Sequence, residues 1–286
     1  MPRIIAAYLA CALIWGTTWF AIRVCIEPGG YPTLASVALR FVIATLLLVP
    51  LAIRANAWPK GRVWWWLVAA GVLDAASYSL VYLGEERIPG GLAAVVYGTQ
   101  PLVLAIMMTA LRIEGLKRRH VIGAVVSLAG VGLLFLDRLD VSTAQALGIL
   151  MVLGSVVVAT SYSVIMKTRG QGVNGLVSTT VFLGVTATVL GVVALVAREP
   201  IVWPPAVAPT IALGYLAVVG TVIAFLVYFW LLRKTTLLVT STLVFVFPLV
   251  ALVTDLLFER AISLGPRAYI GAGITLGGLA VSLRRR

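Results

Sequence analysis

Two charged residues lie within long apolar stretches of the chain, and their side chains are the strongest candidates for chemistry. Asp74 lies midway along the apolar run 63–83, and Arg40 lies about seven residues into the run 33–53. If these runs are membrane helices, a charge near the centre costs roughly 2.5–3.5 kcal/mol on insertion scales. Each side chain should therefore face a cavity or an oppositely charged partner.

The sequence leaves two interpretations of this pair. Asp74 either binds a substrate ammonium or carries a proton, or it is a packing residue that pairs with Arg40. A guanidinium holds a carboxylate with two parallel hydrogen bonds, so Arg40 has matching alternatives: a substrate's carboxylate or that of Asp74. We favour a structural or charge-pairing role for Arg40 and count Asp74 among the predicted substrate-binding residues.

Aromatic residues recur at helical spacing in several apolar runs. Trp15 and Trp19 are four residues apart, as are Tyr78 and Tyr82, so the members of each pair share one helix face. Packing against lipid or the core would explain the rings, but tyrosine hydroxyls and nearby polar groups favour a cavity that suits an amphipathic solute. The predicted cavity residues, besides Asp74, are Trp15, Trp19, Tyr78, Tyr82, Tyr97, Thr99, Gln100, Ser161, Tyr162, Phe225 and Phe229.

Three residues are predicted hinges. Pro101 and Pro248 each remove a backbone hydrogen bond from an apolar run, and Gly16 is a flexible position in the first one. We expect the helices to bend at these positions when the protein changes conformation.

The sequence offers no metal site, cofactor site or catalytic motif. Its single histidine, His120, is far from both cysteines. Cys11 and Cys25 would lie roughly 21 Å apart along one helix, so they form neither a metal cluster nor a disulfide. No GxSxG, HExxH or P-loop pattern occurs. We therefore expect no cofactor and no enzymatic activity.

The elements that must position these residues are ten apolar runs. Their lengths are close to the roughly 20 residues that a helix needs to cross a bilayer. Backbone polar groups in hydrocarbon must be paired within the segment, which favours a helix. The sequence thus predicts an all-α polytopic membrane protein with ten transmembrane helices. The runs cover residues 4–23, 33–53, 63–83, 90–111, 119–136, 144–166, 175–197, 209–232, 237–257 and 268–283.

The basic residues give the predicted orientation. If the N-terminus is cytoplasmic, fifteen of the 22 lysines and arginines fall on the cytoplasmic side and six on the other, with Arg40 alone inside a run. This positive-inside bias predicts a multi-pass membrane protein with both termini in the cytoplasm. The net charge of +12 therefore reflects membrane topology rather than nucleic-acid binding. The sequence leaves the oligomeric state open.

The chain contains an internal repeat. Tyr78 and Tyr82 precede Pro101 by 23 and 19 residues, and Phe225 and Phe229 precede Pro248 by the same distances. Two glycine pairs, at 123/130 and 271/278, follow at matching positions. Five runs per half place the halves in opposite orientations, so we predict two inverted five-helix repeats, residues 1–140 and 141–286. Such repeats are typical of transporters with a midplane binding site.

Several segments resemble the EamA-type branch of the drug/metabolite transporter superfamily. The resemblance rests on Trp15-Gly16 in the first run, Leu39-Arg40-Phe41 in the second, Ile88-Pro89 with Pro101-Leu102 around the fourth, and the glycines 123 and 130 of the fifth. Where the family often has a glutamate after the fourth-run proline, the second half has Glu259 and the first half has Arg112.

This resemblance implies a transporter of small molecules in the plasma (bacterial inner) membrane that works by alternating access. Within the family the chain is most similar to YddG-like exporters of aromatic and other amino acids. Amino acids with aromatic or apolar side chains are therefore the expected substrates. Export of drugs or other amphipathic metabolites is the first alternative, and a membrane-embedded lipid-modifying enzyme is a less favoured one.

Overall fold

The computed structural model describes residues 2–112, 118–135, 142–200, 206–258 and 266–283, and these ranges are almost entirely helical. Two segments depart from α-helical hydrogen bonding: a π-helix, Val218–Ile223, and a 3-10 helix, Thr242–Phe245. The α-helices are α1 Pro2–Ile26, α2 Thr33–Ala55, α3 Arg62–Glu85, α4 Gly90–Tyr97, α5 Gln100–Leu111, α6 Arg118–Phe135, α7 Thr143–Thr168, α8 Gly175–Val196, α9 Val207–Ala217, α10 Ala224–Lys234, α11 Leu237–Ser241, α12 Phe247–Phe258 and α13 Pro266–Leu283.

The helices coincide with the predicted apolar runs. Within the described ranges, seven helical spans are long and apolar enough to cross a membrane. Shorter apolar helices lie in two further runs, within 237–257 and 268–283, and α6 covers the run 119–136. Large apolar side chains such as Leu195 and Val196 point outward and are 69% and 77% exposed, as expected for a lipid-facing surface. The prediction of an all-α polytopic membrane protein is confirmed.

Two of the predicted runs are interrupted just before their prolines. The run 90–111 is divided into α4 and α5 by Gly98 and Thr99, and Pro101 lies in the first turn of α5. In the second half, the 3-10 helix ends at Phe245, and Pro248 lies in the first turn of α12. Proline is tolerated there because first-turn N–H groups have no intrahelical acceptor. Both prolines therefore mark helix starts rather than positions inside a continuous helix.

Gly16, the third predicted hinge, lies inside an unbroken α1. A Cβ atom at this position would lie 2.4 Å from Cβ of Val250 in α12. The structure thus gives this glycine a packing role, since it permits α1 and α12 to approach closely.

The glycines of α6 and α13 form the contact between these two helices. A Cβ on Gly130 would lie 2.5 Å from the backbone nitrogen of Thr275, and one on Gly278 would lie 2.5 Å from the backbone nitrogen of Ser127. The same Cβ atoms would meet the carbonyl oxygens at positions 271 and 123, each at 2.7 Å. Later positions in α6 contact earlier positions in α13, so the two helices run antiparallel. The contact is reciprocal, because a glycine of each helix lies against the backbone of the other. This is the geometry that an inverted repeat requires.

Other contacts between helices of the two halves follow the same repeat. α3 packs against α7, and the corresponding helices of the other half, α9 and α10, pack against α1. α2 packs against α8, its own counterpart. The repeat is therefore visible in the packing of the described residues, whereas the division of the chain at residue 140 stays a prediction.

Candidate substrate cavity

A cavity lies at the centre of the helical assembly and draws its walls from both parts of the chain. Its polar lining groups come from Thr18, Arg40, Ser77, Gln100 and Thr240. Aliphatic side chains, including Ile22 and Val81, complete it. The aromatic rings that line it belong to Trp15, Trp19, Tyr78, Tyr97, Tyr162, Tyr228 and Phe247. The cavity is therefore aromatic and weakly polar, as the sequence predicts.

Two tryptophans on one face of α1 form a wall of this cavity. The Trp15 ring packs edge-on against Tyr228 at 5.0 Å and Phe247 at 6.0 Å between centroids. Its Nε1 donates to the carbonyl oxygen of Gly220 at 3.3 Å. The Trp19 ring packs against Tyr97 at 5.7 Å, and its buried Nε1 has no hydrogen-bond partner among the described residues.

Arg40 reaches the cavity from α2. Its Nε donates to the hydroxyl of Thr221 at 2.7 Å, and its Nη2 donates to the carbonyl oxygen of Gly220 at 3.0 Å. Nη1 donates to the Tyr82 hydroxyl at 3.3 Å. The guanidinium carbon lies 4.9 Å from the centroid of the Tyr78 ring, a distance at which a cation is attracted to the ring face.

The π-helix between α9 and α10 supplies the acceptors for Arg40. A π-helix shifts the backbone hydrogen bonds from the i−4 to the i−5 carbonyl, and the Thr221 hydroxyl itself donates to the carbonyl oxygen of Leu216 at 2.8 Å. The Gly220 carbonyl accepts from both Trp15 and Arg40. A Cβ at Gly220 would lie 2.9 Å from the Thr18 methyl, so glycine allows α1 to approach this segment closely.

Asp74 does not pair with Arg40 and does not line the cavity, which corrects two predictions. Its side chain is completely buried between α3 and α8, where its Oδ2 accepts from the Thr186 hydroxyl at 3.1 Å. The carbonyl oxygens of Gly71 and Phe182 lie at similar distances from the same hydroxyl and share this donor. Arg40 instead finds its acceptors in the π-helix and at Tyr82. The sequence shows no irregularity at the π-helix, so spacing alone favours the pairing of two intramembrane charges.

The predicted cavity residues divide into two groups. Trp15, Trp19, Tyr78, Tyr97, Gln100 and Tyr162 line the cavity, together with Arg40. Tyr82 lies behind it, where its hydroxyl accepts from Arg40. Thr99 donates to the carbonyl oxygen of Val96 in the preceding helix α4, and Ser161 donates to that of Val157 in its own helix α7.

Phe225 and Phe229 are also corrected, since they pack behind the cavity wall. Phe182 of α8 contacts both rings, at centroid distances of 5.4 Å and 5.0 Å. Both phenylalanines are buried. The repeat correctly relates them to Tyr78 and Tyr82, but the corresponding helices present slightly different faces to the centre.

Several lining residues were not predicted from the sequence. Tyr228 lies 147 residues after Val81, the same offset that relates Phe225 to Tyr78, and both Tyr228 and Val81 line the cavity. Extending the repeat by one helical turn would have found Tyr228. Thr18 lies between the two α1 tryptophans and Ser77 directly precedes Tyr78, so helical proximity was a signal for these two. Phe247 lies 147 residues after Gln100, so the repeat offset was also a signal for Phe247. Thr240 carries no comparable signal.

The fold and the cavity define a multi-pass membrane protein with a central site shared between two related parts of the chain. The chain belongs to the EamA-like transporter family, whose pattern matches twice, at residues 2–136 and 146–284. The family assignment confirms the resemblance to the EamA-type branch. It also points to a transporter rather than an enzyme.

Named relatives and a solved structure agree with this assignment. The chain is 28% identical over 250 residues to the "Uncharacterized inner membrane transporter YedA" of Escherichia coli K12, which covers 86% of this chain and 79% of the relative. It is 27% identical over 258 residues to "Protein PecM" of Dickeya dadantii, covering 88% and 82% of the two chains. A crystal structure with 21% sequence identity has the same fold, with a TM-score of 0.78 over 98% of this chain and 96% of the other.

Proposed function

We propose that this protein exports small amphipathic organic solutes, with aromatic or apolar amino acids as the expected substrates, across the bacterial inner membrane by alternating access. The lining of the central cavity carries this proposal. Seven aromatic rings surround a few hydroxyls, one amide and one guanidinium. Aromatic side chains bind apolar bodies over a large area, while the polar groups orient the solute.

The packing of the helices supports alternating access. Exchanged contacts relate the two halves, as the antiparallel α6–α13 contact illustrates. A carrier built from inverted repeats opens to either side by rocking one part against the other around a central site. The YedA relative is named an inner membrane transporter, which supports the proposed location. Export is the direction implied by the family resemblance.

Transport by purified protein in liposomes tests this proposal. We expect labelled phenylalanine, leucine or tryptophan to exchange across the liposome membrane when the protein is present, and Tyr97→Ala to slow that exchange at least tenfold. Trp65→Ala is a matched control, because Trp65 is 70% exposed at the start of α3 and lies outside the cavity. If no amino acid moves, the amino-acid proposal is wrong. If Trp65→Ala impairs transport as much as Tyr97→Ala, the cavity is not the site.

A further inference from the structure

Arg40 is a buried cation that forms no direct ion pair with a carboxylate among the described residues. Its side chain is 1% exposed, and its hydrogen-bond acceptors are two hydroxyls and one carbonyl. A buried charge is costly unless it is paired. The neutral acceptors and the Tyr78 ring compensate part of this cost, and the buried carboxyl groups of Asp74 and Glu85 interact with the charge from a distance. None of these groups forms a direct ion pair with the guanidinium.

The guanidinium also retains donors. A guanidinium has five N–H groups, and the three hydrogen bonds of Arg40 use one on each nitrogen. The remaining N–H groups belong to the two terminal nitrogens, the pair that holds a carboxylate in a bidentate arrangement. Because Arg40 is a lining residue, a solute in the cavity can reach it.

A second donor points to the same kind of ligand. Trp19 lines the cavity, is 7% exposed, and its buried Nε1 has no acceptor among the described residues. Buried donors in native proteins are almost always paired. The Trp19 indole and the Arg40 guanidinium therefore both have N–H donors available for an acceptor on a bound solute, and the guanidinium is positively charged.

The cavity lining contains no carboxylate among the described residues. The nearest candidate from the sequence, Asp74, is turned toward α8, where it binds Thr186. A solute's ammonium would therefore meet aromatic faces, hydroxyls and the Gln100 amide, but no carboxylate in the described lining. The site is asymmetric: it is equipped for an anionic group and has no counterion for a cationic one.

We propose that Arg40 binds the carboxylate of the transported solute and that the substrates are organic monoanions with an aromatic or apolar body, for which an α-ammonium group is not required. This inference rests on the proposed function in placing the solute in the central cavity. It deepens that function by naming the substrate class. Deaminated acids should be accepted, whereas amines that lack the carboxylate should be rejected.

Ligand-induced thermal stabilisation of the whole purified protein in detergent tests the inference directly. The probes are phenylalanine, 3-phenylpropionate, phenethylamine and phenylalaninamide, with a second series that has an indole body and a third with a branched aliphatic body. We expect the two carboxylates of each series to bind at least roughly tenfold more tightly than the amine and the amide, as charge-assisted hydrogen bonds allow. Arg40→Gln should abolish this difference.

The variant needs a control because Arg40 also holds the π-helix. Thr221→Val removes one of the hydrogen bonds that anchor Arg40 but leaves the guanidinium in place, so it should keep the preference for carboxylates. If Arg40→Gln does not fold, the comparison of ligand pairs on the unaltered protein decides the question. Equal binding of amine and carboxylate, a full carboxylate preference in folded Arg40→Gln, or no binding of any carboxylate would overturn the inference.

The outcomes also separate this inference from the proposed function. Carboxylates that bind through Arg40 but are not moved across liposomes would uphold the inference and contradict transport. Transport of phenylalanine that phenethylamine inhibits as strongly as 3-phenylpropionate would uphold transport and contradict the inference.

Discussion

Asp74 forms its hydrogen bond with Thr186 of α8 and not with Arg40. The carboxylate is fully buried, and Oδ2 accepts from the Thr186 hydroxyl on the neighbouring helix. This bond joins α3, which carries Ser77 and Tyr78 of the cavity, to α8. Hydrogen bonds between membrane helices contribute roughly 0.6 kcal/mol on average. The residue therefore positions a helix, and its contribution to stability is small.

Thr186→Val should lower stability slightly without changing substrate affinity. The substitution removes the donor to Asp74, and we expect a loss of roughly 0.6–1.7 kcal/mol in unfolding free energy. Thr188→Val is the control, since the Thr188 hydroxyl bonds only within its own helix and faces outward. Equilibrium unfolding in detergent measures both. An equal loss in the two variants would show that the Asp74 bond carries no stability.

Asp74→Asn should preserve both transport and its pH dependence. The asparagine oxygen can still accept from Thr186, and the amide nitrogen takes the place of Oδ1, which has no partner among the described residues. Exchange in liposomes from about pH 5 to pH 8 compares the two proteins, because this interval spans the neutral range in which a proton-carrying group would titrate. A pH dependence that is present in the native protein and absent from the variant would identify Asp74 as a proton carrier.

Among the helices, α6 and α13 approach each other backbone to backbone, and small residues make this approach possible. A Cβ atom on Gly130 or Gly278 would meet backbone atoms of the opposite helix at 2.5 Å. Backbone cannot move aside as a flexible side chain can. The hydroxyl of Ser127 also donates to the carbonyl of Thr275 across this contact at 3.0 Å. We expect this helix pair to be a rigid part of the transporter.

Gly130→Ala and Gly278→Ala should destabilise the protein to a similar extent, because the repeat gives them equivalent surroundings. Overpacking of this kind typically costs roughly 1–3 kcal/mol. Gly132→Ala and Gly277→Ala are matched controls, since a Cβ at either position meets no atom within 4 Å. Alanine there should be neutral or slightly stabilising. Thermal unfolding of the four variants should separate the pairs, and similar values for all four would contradict the packing argument.

The interrupted helices are the parts expected to move. α4 and α5 meet before Pro101, and the 3-10 helix meets α12 before Pro248. Disulfide cross-links between α3 and α4, or between α10 and α11, should therefore trap one state and block exchange in liposomes. A cross-link between α6 and α13 should leave exchange intact. Full transport with the first type of cross-link would contradict the hinge prediction.

At the scale of the whole molecule, the two inverted halves surround one central cavity, and in the proposed mechanism this cavity opens to either side of the membrane. Counterpart helices α3 and α10 contribute to one cavity from the two halves, through the equivalent positions Val81 and Tyr228. The basic residues then fix which side is cytoplasmic. This orientation stays a prediction from charge, because helix packing is the same whichever way the protein is inserted.

Site-directed labelling tests the orientation. Single cysteines at positions 60 and 286 should react with a membrane-impermeant maleimide only from the cytoplasmic side, and a cysteine at 138 only from outside. The native Cys11 and Cys25 are buried and should give little background. The unsubstituted protein serves as that control. Labelling of positions 60 and 138 from the same side would refute the predicted topology.

The sequence by itself determined the features that depend on chain-wide periodicity. Apolar runs of bilayer length give membrane helices because a helix pairs all the backbone hydrogen bonds of a single segment within that segment. The matching spacings before Pro101 and Pro248 identified the repeat. An odd number of runs in each half then required inversion, and the exchanged contacts of Gly130 and Gly278 show it. The aromatic character of the cavity also followed from sequence, since tyrosines recurred on a single helix face.

Only the tertiary structure decided which polar groups meet. Arg40 and Asp74 were an obvious pair in sequence, yet the π-helix offers Arg40 the oxygens of Gly220 and Thr221, and Thr186 binds Asp74. A π-helix depends on local hydrogen-bond choice and leaves no hydrophobic period to read. The rotation of α10 that places Tyr228 at the cavity and Phe225 behind its wall likewise depends on packing against Phe182 and Trp15. Those contacts join residues far apart in sequence, so no local pattern predicts them.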